Sequence, residues 1–128
     1  MRLLLDTHTF IWYTTDSSRL TATGRSLIDN GENDILLSTA SVWEMAIKHN
    51  IGKLSFSRSF MEFIKQQIAV NRINILEITF DHIEVVASLP LHHRDPFDRL
   101  IIAQSMAEPI PILSVDAIFD AYAIARVW

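Results

Sequence analysis

The feature that most constrains this chain is a rhythm. Short apolar runs of strand length alternate with longer segments of helical period from one end to the other. The runs Arg2–Leu5, Asp34–Ser38, Ile73–Ile78 and Ile110–Val115 predict strands, and Ile124–Trp128 predicts an edge strand. Between them, Thr9–Tyr13, Leu20–Asn30, Ser41–Asn50, Phe60–Val70, Phe80–Leu89 and Pro96–Ala107 predict helices, and Ala117–Tyr122 a short helical turn. Ser17 or Ser18 is expected near the start of the second helix, with Gly31 just past its end. Pro96 takes a first helical position, where a missing N–H costs nothing. The strand runs are continuously apolar rather than alternating, so both faces of each strand must be covered. Strand and helix in alternation, with strands buried on both sides, predict a three-layer α/β/α sandwich around a central parallel sheet with right-handed crossovers.

At 128 residues the chain has room for a single domain, residues 1–128. Hydrophobic residues make up 49% and charged residues 20%, which excludes disordered and low-complexity classes. The absence of cysteine removes disulfides, zinc–thiolate sites and thiol catalysis together. Asp6 interrupts the apolar start after only three leucines, so neither a signal peptide nor a membrane span is expected. A soluble, cytoplasmic protein with no membrane partner is the expectation. The net charge of −4, from 11 basic and 15 acidic residues, argues against nucleic-acid binding through a bulk positive field. A local site can hide within that sum: with four acids gathered around a cation, the remaining charges balance.

In parallel sheets of this kind, ligands bind outside the carboxyl ends of the strands. Asp6 directly follows the first strand and Asp116 the fourth. Glu44 lies early in the helix after the second strand, and Asp98 in the first turn of the helix opened by Pro96. Four acids from four separate segments therefore map to one sheet edge. Two unit charges about 4 Å apart repel by roughly 4 kcal/mol at an effective dielectric near 20. Such a cluster is tolerable only with raised pKa values or with a cation among the acids. Oxygen donors of this kind suit Mg²⁺ or Mn²⁺, which can lower the pKa of a bound water and stabilise a leaving oxygen in phosphodiester hydrolysis. Each acid also has a structural alternative. Ser41-Val42-Trp43-Glu44 has the form of a capping box, Asp95-Pro96-Phe97-Asp98 that of an N-cap with an acid in the first turn, and Asp6 and Asp116 could cap the segments that follow them.

The motifs resemble those of the PIN-domain ribonucleases, and in particular the VapC-type toxins of bacterial toxin–antitoxin pairs. They are Leu3–His8 (L-L-L-D-T-H), Ser41–Glu44 (S-V-W-E), Ile47–Leu54 (I-K-H-N-I-G-K-L), Leu89–Gln104 (L-P-L-H-H-R-D-P-F-D-R-L-I-I-A-Q) and Leu113–Asp116 (L-S-V-D). The resemblance spans the chain and makes it a single PIN-like domain, with the stretch from Leu91 to Leu100 the most specific. It implies an acidic quartet of Asp6, Glu44, Asp98 and Asp116 holding Mg²⁺ or Mn²⁺ and cleaving RNA, with Asp6 and Asp98 holding the metal most directly. It further implies a small antitoxin whose C-terminal segment blocks the groove, and a toxin homodimer. Thr7 matches a hydroxyl position near the site, Ser114 stands where many members have Thr, and Asp95 is expected to cap. The chain departs from the family pattern in the turn Glu108-Pro109-Ile110-Pro111 and in Ala117 after the fourth acid, which bears on substrate contacts rather than on the metal.

His8 is a candidate for contact with the site or the substrate. Arg94 and Arg99 are candidates for RNA phosphate, or Arg99 for pairing with an acid. A basic rim of Lys48, Lys53, Arg94 and Arg99 is expected to supply substrate affinity. His92 and His93 are expected near phosphate or in hydrogen bonds rather than as metal ligands. Trp12, Trp43 and Trp128 are expected in the core or a dimer interface rather than stacked on bases. Two other functions are set beside the nuclease. A phosphatase using Asp6 as nucleophile wants a second acid where His8 stands, and a PIN-like domain that only binds RNA or protein would lack the metal.

Overall fold

The computed structural model describes residues 1–56 and 59–128. In chain order the elements are β1 (Arg2–Leu5), α1 (Thr7–Thr14), α2 (Ala22–Asp29), β2 (Asp34–Ser38), α3 (Thr39–Asn50), α4 (Phe60–Val70), β3 (Asn74–Leu76), α5 (Phe80–Ala87), α6 (Pro96–Ala107), β4 (Ile112–Leu113), a 3₁₀ turn (Ala117–Ala121) and β5 (Arg126–Val127). The five strands form one parallel sheet in the order β3-β2-β1-β4-β5. The predicted three-layer sandwich is what forms.

The sheet partitions its side chains with a period of two. Leu3, Leu5, Ile35, Leu37 and Leu113 enter one core with Phe10, Ile28, Met45 and Ile64 of α1–α4. Leu4, Leu36 and Ile112 enter the other, with Ile101 and Ile102 of α6 and with Phe119 and Tyr122. Leu3, Leu4 and Leu5 are all fully buried, which explains the unbroken apolar run. Burying one such side chain contributes roughly 1.5–3 kcal/mol, so β1 is the best-anchored strand of the sheet. Among the described residues, no helix is long and apolar enough to cross a membrane.

The boundaries depart from expectation where local chemistry competes with apolar pattern. Helix α2 starts at Ala22 rather than Leu20. Its N-cap is Thr21, whose hydroxyl accepts the Gly24 N–H at 2.9 Å, and not Ser17 or Ser18. Helix α3 starts at Thr39, two residues early, because Ser38 caps it by accepting the Ala40 N–H at 3.0 Å. Strands β3, β4 and β5 are shorter than their apolar runs: Ile110, for example, is buried without entering the ladder. The strand order turns at β1, with β2 and β3 on one side and β4 and β5 on the other. The carboxyl ends of β1 and β4 therefore open a crevice at the switch point.

Candidate active site

Asp6 is the first residue past β1, and its N–H donates to the Leu113 carbonyl at 3.2 Å, which ties it to the end of β4. It occupies the N-cap position of α1 in extended backbone, yet its side chain makes no capping bond. Instead Oδ2 accepts the Ser114 hydroxyl at 2.7 Å. Ser114 Oγ in turn accepts the Asp116 N–H at 3.0 Å, so one buried hydroxyl links the first and fourth acids.

Glu44 is not part of a capping box. Since α3 begins at Thr39, Ser41 and Glu44 lie inside the helix, and Ser41 Oγ accepts the Thr7 hydroxyl at 2.8 Å. Glu44 is 4% exposed, and its Oε2 pairs with Lys48 at 2.8 Å, one turn on. Asp98 is likewise relieved of capping, because Asp95 Oδ1 accepts the N–H groups of both Phe97 and Asp98, at 2.8 and 3.1 Å. Asp116 does two things. Its Oδ1 accepts the Ile118 N–H and caps the 3₁₀ turn, while Oδ2 meets His93 Nε2 at 3.1 Å.

The four carboxylates share one electrostatic site. Burial, reinforced by the charges of Asp6, Asp95, Glu44 and Asp116, pushes Asp98 up to about 8. Burial also raises Asp6, with Glu44 adding to the rise and the Ser114 hydroxyl and His8 opposing it. Among the described residues, Asp6 Oδ1 and Glu44 Oε1 are buried without a hydrogen-bond partner. A buried carboxylate oxygen with no partner costs free energy unless a proton or a cation meets it. The donor set is oxygen-rich, twice orphaned and repelled by its own charge, and it fits a hard divalent cation.

One histidine completes the cluster. His93 Nε2 lies 3.0 Å from Asp98 Oδ2 and 3.1 Å from Asp116 Oδ2, and these three side chains could offer ligand atoms to one ion. The sequence held a partial signal, since His93 stands five residues before Asp98. No spacing rule carries the loop back onto the site, and that is done by two side chains. The Tyr122 hydroxyl accepts the N–H groups of His92 and His93 at 3.0 and 2.7 Å and donates to the Pro90 carbonyl. Arg99 donates to the carbonyls of Leu89, Pro90 and His93 at 3.0–3.1 Å.

The expected substrate residues separate into three groups. Arg99, set against phosphate or an acid, is engaged by the loop backbone instead, and Lys48 by Glu44, so neither stands as an open basic rim residue. Arg94, Lys53 and His8 are exposed, with the His8 ring 5.8 Å from that of Trp12. Thr7 and Ser114 are buried beneath the acids as hydrogen-bonding hydroxyls. Trp43, expected in core or interface, is 57% exposed and meets the ring of Phe97 edge-on at 5.0 Å, one residue from Glu44 on one side and from Asp98 on the other.

A parallel α/β/α domain with four acids converging at the switch point of its sheet offers an oxygen-rich crevice where such folds bind ligands. The chain belongs to the PIN-domain family, whose model matches residues 3–125. Among solved structures it is similar to VapBC2 from Rickettsia felis, determined bound to a DNA fragment from their promoter. The two share 13% identity over 99% of this chain and 98% of that one, with a TM-score of 0.75. It is also similar to VapBC-1 from nontypeable Haemophilus influenzae (14% identity, 99% and 97% coverage, TM-score 0.70). VapBC-5 from Mycobacterium tuberculosis, a member of the VapBC family of toxin–antitoxin systems, matches at 17% identity, 98% coverage of both chains and a TM-score of 0.61. At these identities the likeness establishes a shared fold. No curated protein sequence matches the chain.

Proposed function

We propose that this protein is a divalent-metal-dependent endoribonuclease and the toxin of a toxin–antitoxin pair acting in the cytoplasm. The observation that carries the enzyme is the meeting of Asp6, Glu44, Asp98 and Asp116 from four separate segments, with two buried carboxylate oxygens left unpartnered. The structural neighbours that are toxin–antitoxin complexes support the biological setting. Mg²⁺ or Mn²⁺ would be held by Asp6 and Asp98, with Glu44 and Asp116 completing the charge balance. When bound, the cation would activate a water for attack on phosphorus and offset the charge that builds on the phosphate.

The chain's own residues supply the rest. Ser114 orients Asp6 and links it to the backbone of Asp116. The Thr7–Ser41 hydroxyl pair closes the polar floor between α1 and α3. Arg94 and His8, both exposed, would meet RNA phosphate. A cognate antitoxin segment would enter the same acidic groove, and the toxin would form a homodimer.

The test is cleavage of single-stranded RNA by the purified chain. Cleavage is expected to require Mg²⁺ or Mn²⁺, to stop in EDTA, and to be lost in Asp6→Asn and Asp98→Asn. Cleavage that persists in EDTA overturns the metal mechanism. Absence of metal binding by calorimetry would turn the assignment toward a domain that only binds RNA or protein.

A further inference from the structure

Among the described residues, His93 is the basic side chain lodged between two of the four acids, and its ring is held from both ends. Nδ1 accepts the Asp95 backbone N–H at 3.2 Å. That bond needs a lone pair on Nδ1, and a proton there would set N–H against N–H. The network therefore assigns the ring proton to Nε2, the nitrogen facing Asp98 Oδ2 at 3.0 Å and Asp116 Oδ2 at 3.1 Å. An Nε2 that carries its proton has no lone pair for a cation. This excludes the simplest use of the His93–Asp98–Asp116 triplet, a three-ligand metal site, while the ring keeps this tautomer.

We propose that His93 is a positioning residue of the acidic centre: its Nε2–H donates to Asp116 Oδ2 while standing 3.0 Å from Asp98 Oδ2, which holds the two carboxylates side by side ahead of a cation's arrival, and the ring does not ligate the cation. The inference rests on the reading of the quartet as a metal centre. Asp98 comes from α6 and Asp116 from the turn after β4, and no backbone hydrogen bond joins those two segments among the described residues. A donor between them does two jobs. It offsets part of their mutual repulsion, and its hydrogen bond fixes the direction of Asp116 Oδ2 beside Asp98 Oδ2. Hydrogen bonds to ligating carboxylates from outside the coordination sphere typically matter by 10–100-fold in metal affinity. The support behind His93 follows the same logic. Tyr122 and Arg99 hold the loop through three backbone carbonyls and two N–H groups, so the ring is placed before the metal binds.

The experiment has two arms, neither of which uses RNA. In the first, long-range proton–nitrogen NMR of ¹⁵N-histidine protein is recorded without metal and with Mg²⁺. His93 is expected to show a protonated Nε2 and an unprotonated Nδ1 in both states. Loss of the Nε2 proton on adding Mg²⁺ makes His93 a ligand and overturns the inference. In the second, Mn²⁺ binding is measured by calorimetry for wild type, His93→Ala and His93→Gln. The alanine variant is expected to bind about 10-fold more weakly or worse, and the glutamine variant, which keeps a side-chain N–H, to recover most of the loss. Unchanged or tighter binding by the alanine variant overturns the inference. If that variant does not fold, the wild-type spectrum and the glutamine variant decide. Should Asp6→Asn and Asp98→Asn abolish cleavage while His93→Ala binds Mn²⁺ as wild type does, this inference falls and the nuclease assignment stands.

Discussion

Two histidine–carboxylate contacts in this molecule look alike in isolation and differ in everything around them. His82, fully buried, meets Glu108 Oε2 at 2.7 Å, while its Nδ1 accepts the Thr79 N–H at the start of α5. His93 meets Asp98 and Asp116 at 3.0 and 3.1 Å, while its Nδ1 accepts the Asp95 N–H. Both rings use one nitrogen on a backbone donor and the other on acid. The first pair is balanced, one imidazole to one carboxylate, and it clamps α5 against the end of α6. The second is one imidazole among five acids: Asp6, Glu44, Asp95, Asp98 and Asp116. Local geometry does not separate the structural clamp from the proposed metal centre. The excess of negative charge does.

The sharpest way to break the comparison is to neutralise one acid of the unbalanced cluster. Asp98→Asn is expected to lower RNA cleavage by about 100-fold or more, while the metal-free protein unfolds at the same or a higher temperature because the amide needs no proton taken up to stay neutral in the cluster. Loss of activity together with loss of stability would mean that the two clusters are alike after all. On the balanced side, His82→Ala is expected to destabilise by about 2–4 kcal/mol in urea unfolding, since it leaves a cavity and strands Glu108 and the Thr79 N–H. Its metal affinity is expected to stay unchanged.

A pH titration sharpens the same contrast. Asp98 titrates near 8 in the folded chain against 3.8 as its ordinary value. Between those limits the native state holds a proton that the unfolded state has released, so this group makes stability fall as pH rises from about 4 to about 8, with no contribution to the slope on either side. The thermal midpoint of the metal-free protein, scanned over that window, checks the sign. Saturating Mg²⁺ or Mn²⁺ is expected to flatten the slope. Asp98→Asn is expected to remove this part of it, and His82→Ala to leave it in place. The smallest expected effect is in the loop that carries His93. Tyr122→Phe leaves the His92 and His93 N–H groups without their acceptor and is expected to cost about 1–2 kcal/mol. It is also expected to weaken Mn²⁺ binding in the same direction as His93→Ala, by a smaller factor.

Much of this architecture was legible in the chain. The strands β1 and β2 and the helices α4 and α6 lie where the apolar periodicity put them, because buried strands and amphipathic helices leave different repeats. The errors fell where a single side chain outweighed the pattern. Ser38 starts α3 before the apparent capping box at Ser41, and Thr21 starts α2 after the serines. Asp6 and Asp116 stood out because each lies just past a strand, Asp98 because it lies in a first helical turn, and Glu44 because it lies early in the helix after β2. The competing roles as caps could not be excluded without seeing that Ser38 and Asp95 take the capping bonds. Arg99 and His93 resisted assignment because their partners are set by the fold of the loop, whereas Lys48 pairs with Glu44 one turn away in the same helix, a spacing the chain does carry.

The sequence by itself settled that this chain makes a parallel sheet sheathed by helices, since residue periodicity is a local property and burial on two faces leaves a direct mark. It also settled that carboxylates stand at the strand ends. The tertiary structure alone decided which carboxylates remain free of capping, how strongly they burden one another, and that a loop histidine enters between them. Those outcomes depend on through-space distance and desolvation, and neither is written in the spacing of residues along a chain.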